Sequence, residues 1–112
     1  MEKIELTTIN GYCWVEPQNI IAFQIEDKQV NMYLTTGLKI PLNMSLAACS
    51  IKLKAEVYFF QLSRSALINI QHAFRYLNGD VKILQMCNNM KIAVPASRKA
   101  ALFEQRKNMP KK

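Results

Sequence analysis

The chain has 112 residues, half of them hydrophobic and 21% charged, enough apolar material for one folded core and too much for a disordered segment. Fifteen basic residues stand against eight acidic ones, and the net charge of +7 suits a polyanionic partner. No apolar run reaches the length of a membrane span, and the N-terminus lacks the basic-then-apolar order of a signal peptide, so a single cytoplasmic domain over 1–112 is expected.

Strand patterning opens the chain. Ile4-Glu5-Leu6-Thr7-Thr8-Ile9 alternates in part and runs into Asn10-Gly11, a dipeptide that favours a tight turn because both residues tolerate positive φ. Tyr12-Cys13-Trp14-Val15 resumes as a strand that Pro17 ends. Ile20-Ile21-Ala22-Phe23-Gln24-Ile25 follows, then the polar break Glu26-Asp27-Lys28 and the strand Gln29-Val30-Asn31-Met32-Tyr33-Leu34, whose Val30, Met32 and Leu34 share one face. Thr36-Gly37 marks another turn before Leu38-Lys39-Ile40-Pro41-Leu42. Residues 45–54 change period: Ser45 suits a helix N-cap, and Leu46, Ala47, Ala48, Cys49, Ile51 and Leu53 recur at helical spacing. Lys52 and Lys54 complement the negative end of that helix.

Next comes Phe59-Phe60-Gln61-Leu62-Ser63-Arg64-Ser65-Ala66-Leu67-Ile68-Asn69, two apolar strands around a short polar interruption that carries one arginine. Ala73-Phe74-Arg75-Tyr76-Leu77 and Asp80-Val81-Lys82-Ile83-Leu84 flank Asn78-Gly79, the strongest hairpin signal in the chain. Asn88-Asn89 predicts a further turn before Met90-Lys91-Ile92-Ala93-Val94, and Ser97 is placed to cap a short helix through Ala100, Ala101, Leu102 and Phe103. The pattern predicts a mainly β fold of antiparallel hairpins, with one helix near 45–54 and a short C-terminal one. Phe23, Phe59, Phe60 and Phe74 are expected in the core.

Catalysis and metal binding find no support. Cys13, Cys49 and Cys87 are widely spaced and odd in number, which argues against a disulfide framework or a zinc site and for core or near-core packing. His72 is the only histidine, no two glycines lie close enough for a phosphate-cradling loop, and Glu26-Asp27 read as a solvated turn. No catalytic group, cofactor or metal is expected, and the chain reads as a non-enzyme.

The central stretch resembles the signature of the LytTR family of bacterial DNA-binding domains: an aromatic pair, Arg, an aliphatic residue, His-Arg-Ser, two variable residues, an aliphatic residue and Asn. Phe59, Phe60, Arg64, Ser65, Ile68 and Asn69 match; Gln61 stands for the usual first arginine and Ser63 for the histidine. Downstream, Val94-Pro95-Ala96-Ser97-Arg98-Lys99 is similar to the family's Ile-Pro-Val-Ser-Arg-Arg ending. The resemblance covers about 14–105, leaving 106–112 as a basic tail; six of the fifteen basic residues, among them Lys111 and Lys112, lie in the last fifteen positions. It implies an elongated arrangement of small β-sheets whose loops enter successive major grooves of double-stranded DNA.

Carried over by position, the resemblance implies three contact places: Lys28 and Gln29, Ser63 and Arg64, and Ser97, Arg98 and Lys99. Arg64 has the planar donor fork that pairs with a guanine edge; Lys28, Ser63, Ser97 and Arg98 suit the phosphate backbone, and Lys99 either task. The bland reading of each is an exposed polar turn residue, and for Arg64 a surface partner of some carboxylate. Asn69 is expected to tie a strand end to backbone groups. Without a receiver domain of the kind often attached to such modules, the expectation is a stand-alone regulator or one domain of a larger system. It would be monomeric in solution, able to pair on direct repeats, and open to control by a protein partner. The rival is a basic β-domain that docks a protein through a strand edge.

Overall fold

The computed structural model describes residues 2–109. Seven strands form one antiparallel sheet: β1 (Ile4–Thr8), β2 (Gly11–Val15), β3 (Ile20–Glu26), β4 (Gln29–Leu34), β5 (Lys39–Leu42), β6 (Phe59–Ser63) and β7 (Ala66–Asn69), in the spatial order β2-β1-β5-β4-β3-β7-β6. Three more, β8 (Ala73–Asn78), β9 (Lys82–Met86) and β10 (Lys91–Ala93), form a second antiparallel sheet in the order β10-β9-β8. Helix α1 (Leu46–Lys52) and helix α2 (Lys99–Lys107) complete the fold. The mainly β class, the hairpin construction and the two helices follow the sequence pattern.

Both faces of the larger sheet are covered. Leu46, Cys49 and Leu53 of α1 and its exit pack with Leu6, Phe23, Met32 and Leu67 on one face. Leu84, Met86 and Ile92 of the second sheet, with Leu102 of α2, pack with Ile21, Phe60, Leu62 and Ile68 on the other. Two-sided burial explains why β3 begins as an unbroken apolar run. A bulge between Ile20 and Ala22 in the pairing with β4 turns Ile20 and Phe23 toward α1, and Ile21 and Ala22 toward the second sheet.

Asn69 ends β7 fully buried. Its Nδ2 donates to the Ile20 carbonyl at 2.9 Å, and its Oδ1 accepts from the Gln71 backbone N–H at 2.9 Å, capping the 3-10 turn Ile70–His72. That turn carries the chain from one sheet to the other. His72 is satisfied there, its Nε2 lying 2.6 Å from the Gln18 carbonyl oxygen.

Several local expectations change. Ser45 caps α1 through the Ala48 N–H at 3.0 Å, but Ser97 caps nothing: residues Ala96–Arg98 form a 3-10 turn and α2 starts at Lys99. The Asn78-Gly79 hairpin forms, with Asn78 facing Lys82 across a three-residue loop in place of a two-residue turn. Phe74 is 66% exposed on β8, outside the core. Cys49 is buried and Cys13 half-buried, whereas Cys87 is exposed in the β9–β10 turn. Helix α2 continues through Lys107, beyond the start of the expected tail, and Lys111 and Lys112 of that tail lie outside the described residues.

Asn69→Ala is expected to lower stability by roughly 2–4 kcal/mol, because the Ile20 carbonyl and the Gln71 N–H would lose a buried partner together. Urea unfolding followed by circular dichroism reads this directly; a change under about 0.5 kcal/mol, the scale of an ordinary surface substitution, would show that the carboxamide is dispensable.

Candidate nucleic-acid interface

Antiparallel pairing decides which turns share an end of the sheet. Gln24 faces Ala66 in the β3–β7 ladder, and the Ile25 N–H donates to the Ser65 carbonyl at 2.8 Å. The tips of the β3–β4 and β6–β7 hairpins are therefore neighbours. Val30 faces Leu42 and Thr8 faces Leu42, which brings the β1–β2 turn and the entry to α1 to the same end.

At the first tip Glu26 faces Gln29, so the loop is only Asp27 and Lys28, at φ 49° and 67°. Positive φ at both central residues is the type I′ geometry that follows strand twist, adopted here without glycine. Lys28 is exposed at the apex. Gln29 is not presented outward: its Nε2 donates to the Leu42 carbonyl at 2.7 Å and the Val30 carbonyl at 2.9 Å, fastening the turn to β5. Glu26 is held as well, accepting from the Tyr33 hydroxyl and from Asn31 Nδ2 at 3.1 Å, with Lys39 Nζ 3.5 Å away. These donors, Tyr33 first, hold the Glu26 carboxyl below its usual range, while burial and the carboxylate push the Tyr33 phenol up to about 12. The Glu26 charge is thus engaged inside the hairpin.

At the second tip Arg64 and Ser65 join Ser63 to Ala66, with a bulge between Gln61 and Ser63. Ser63 Oγ accepts from the Ser65 N–H at 3.2 Å, and Gln61 Nε2 donates to the Ser63 carbonyl and, at 3.4 Å, to that of Ala66. The turn is braced from within by Gln61 and Ser63. Arg64 is exposed, and among the described residues it has neither a hydrogen bond nor an ion pair.

The third place is divided. Arg98 is half-buried: its Nη2 donates to the Gln61 carbonyl at 2.8 Å, and its guanidinium carbon lies 4.6 Å from the Phe60 ring centroid. It clamps the start of α2 to β6. Ser97, Arg98 and Pro95 line an open cleft with Gln61, Ser63 and Arg64. Lys99 turns away, its Nζ 5.5 Å from the Tyr76 ring centroid and 5.8 Å from that of Phe103. A second groove holds Lys28 with Asn43, Met44 and Ser45, and Leu46 borders both. No carboxylate lines either one. Asn43, Met44 and Ser45 join this surface through the β4–β5 register, for which local sequence offers no signal.

Residues 10–107 match the LytTr DNA-binding domain family. The chain belongs to that family. DNA binding by a transcription regulator is the class of function this membership supports, in a family of DNA-binding and not enzymatic domains. A solved LytTr DNA-binding domain from Bacillus cereus is similar in structure, with a TM-score of 0.73 at 19% identity over 94% of this chain and 96% of that one. At this identity the likeness speaks for the fold. A comparison with curated proteins gives no match. Among the described residues of this LytTR domain, no helix is long and apolar enough to cross a membrane, and no group of three potential metal ligands occurs.

The two arginines should separate in stability measurements. Arg98→Ala is expected to cost about 1–3 kcal/mol, from the lost bond to Gln61 and the lost stacking on Phe60. Arg64→Ala should stay within about 0.5 kcal/mol of the parent. Thermal unfolding of both variants checks this, and equal losses would contradict the division.

Proposed function

We propose that this LytTR domain binds double-stranded DNA sequence-specifically, as a bacterial transcription regulator, by setting the turns at one end of its larger sheet into successive major grooves. The observation that carries this reading is the pairing of two exposed, braced tips on that end, one bearing Lys28 and the other an unpartnered Arg64. A side chain serving as the partner of a carboxylate would show an ion pair, and among the described residues Arg64 makes none.

Roles follow from how free each side chain is. Arg64 reads a base edge, its bidentate fork matched to guanine O6 and N7. Lys28 and Ser97 hold phosphates. Ser63 has its hydroxyl beside Ser65 and supports the tip while remaining on the cleft wall. Arg98 keeps unused N–H donors at the cleft, so it serves as a phosphate contact from a fixed position. Gln29 acts through the turn it fastens, and Lys99 from the edge of the surface.

Selection of genomic fragments by the purified protein, followed by fluorescence anisotropy on the enriched sequence and a scrambled control, tests the reading. A recurring short motif bound better than the control is expected, and Arg64→Ala should lose about 1–3 kcal/mol of discrimination at one base position. Equal loss on every sequence would make Arg64 a phosphate contact, and no enrichment would remove sequence specificity. Lys28→Gly offers a test of opposite signs. Relief of the positive φ should raise stability by about 0.5–1 kcal/mol, while the slope of log K against log salt becomes shallower by about one. An unchanged slope would take Lys28 off the DNA.

A further inference from the structure

Away from that surface, β8 and α2 flank a half-open cavity of about 310 Å³. Ile70, Ala73, Leu84, Leu102 and Phe103 supply an apolar lining, and Arg106 and Lys107 of the last turn of α2 complete the wall. The volume lies at the lower end of the range for small-molecule sites, about 300–1,000 Å³.

The charge of this wall asks for an anion. Every charged side chain that lines the cavity is a cation, Arg75, Arg106 or Lys107, with no carboxylate among them. Arg75 Nε is engaged by Gln85 Oε1 at 2.7 Å, whereas Arg106 and Lys107 are exposed and make no ion pair among the described residues.

We propose that this cavity binds a small amphipathic carboxylic acid, with its apolar body among Leu84, Leu102 and Phe103 and its carboxylate drawn to Arg106 and Lys107. A neutral molecule of the same body would bury the same area but leave the cations without an acceptor. A short acid would meet the charges but leave the apolar wall wet. The site therefore selects for both parts.

The experiment is a titration of the 15N-labelled full chain with octanoate, octanol and acetate, followed by amide chemical shifts. Octanoate is expected to saturate with shifts centred on Ala73, Leu84 and Phe103, octanol to bind about tenfold more weakly, and acetate not to saturate. The double variant Arg106→Glu with Lys107→Glu should abolish the advantage of octanoate over octanol. Ala73→Phe fills the cavity and should remove binding; should that variant fail to fold, the charge reversal, confined to exposed residues, still decides. Equal affinity for octanoate and octanol, shifts centred on the Arg64 cleft, or octanoate binding unchanged in the charge-reversed protein would overturn the proposal.

Discussion

The buried carboxamide of Asn69 holds the two sheets in relation to each other. It stands where an apolar strand, Ala66-Leu67-Ile68, gives out and the chain must leave the larger sheet for the smaller. A polar group at zero exposure is tolerated only with its bonds made. Here one end of the amide holds the first residue of β3 and the other starts the crossing turn. An aliphatic residue would supply the packing but neither bond, and the chain would have no defined point at which to change sheets. The Cys87 N–H then donates to the His72 carbonyl at 2.8 Å, so the second sheet is tied to the same crossing. Position and direction of the smaller sheet both descend from this joint.

With the crossing fixed at one end of β3 and β7, the other end is left for display. Short antiparallel hairpins give rigid tips, because their loops contain two residues each and their ladders are buried on both faces. Of the two arginines near that end, one is used to build and one is left over. Arg98 gives its face to Phe60 and a donor to Gln61, which brings the 3-10 turn before α2 against β6. Arg64 has no such engagement among the described residues. A fixed cation beside an unengaged one, in a cleft free of carboxylates, makes a positive surface whose shape is held before any polyanion arrives.

Much of this was legible in the sequence, for identifiable reasons. Alternating Val30, Met32 and Leu34 reported the face of β4 that packs in the core with α1, and the run from Ile20 to Phe23 a strand buried on both sides, because burial acts residue by residue. Turn residues were read well where backbone conformation alone chose them. Gly37 at φ 94° and Asn89 at φ 69° each close a three-residue loop in the left-handed region. Reading failed where a neighbour distant in sequence decides. Phe74 looks like core until β8 proves to be an edge of the second sheet, and Cys87 until its turn proves exposed. Among candidate site residues, local pattern placed Lys28 and Arg64 on turns. It could not tell that Gln29 reaches Leu42 on β5, or that Lys99 is drawn to Tyr76 on another sheet.

The departures from the family signature gain a physical meaning from the same turn. Where the signature carries a cation and a histidine, Gln61 and Ser63 carry short neutral groups, and both spend them inside the β6–β7 tip. An arginine at 61 would bring charge to the cleft and a longer stem to order. Glutamine closes the bulge without charge, through the two donors of its amide nitrogen. The exchange moves positive charge out of the cleft and puts rigidity in its place. Fewer cations weaken the sequence-independent attraction to phosphate, while a better-held tip would lower the entropy lost in the contact proposed for Arg64. On the proposed reading, such a domain leans more on the fit of one side chain and less on bulk charge, and the relative size of these two terms would set how sharply it separates one DNA sequence from another.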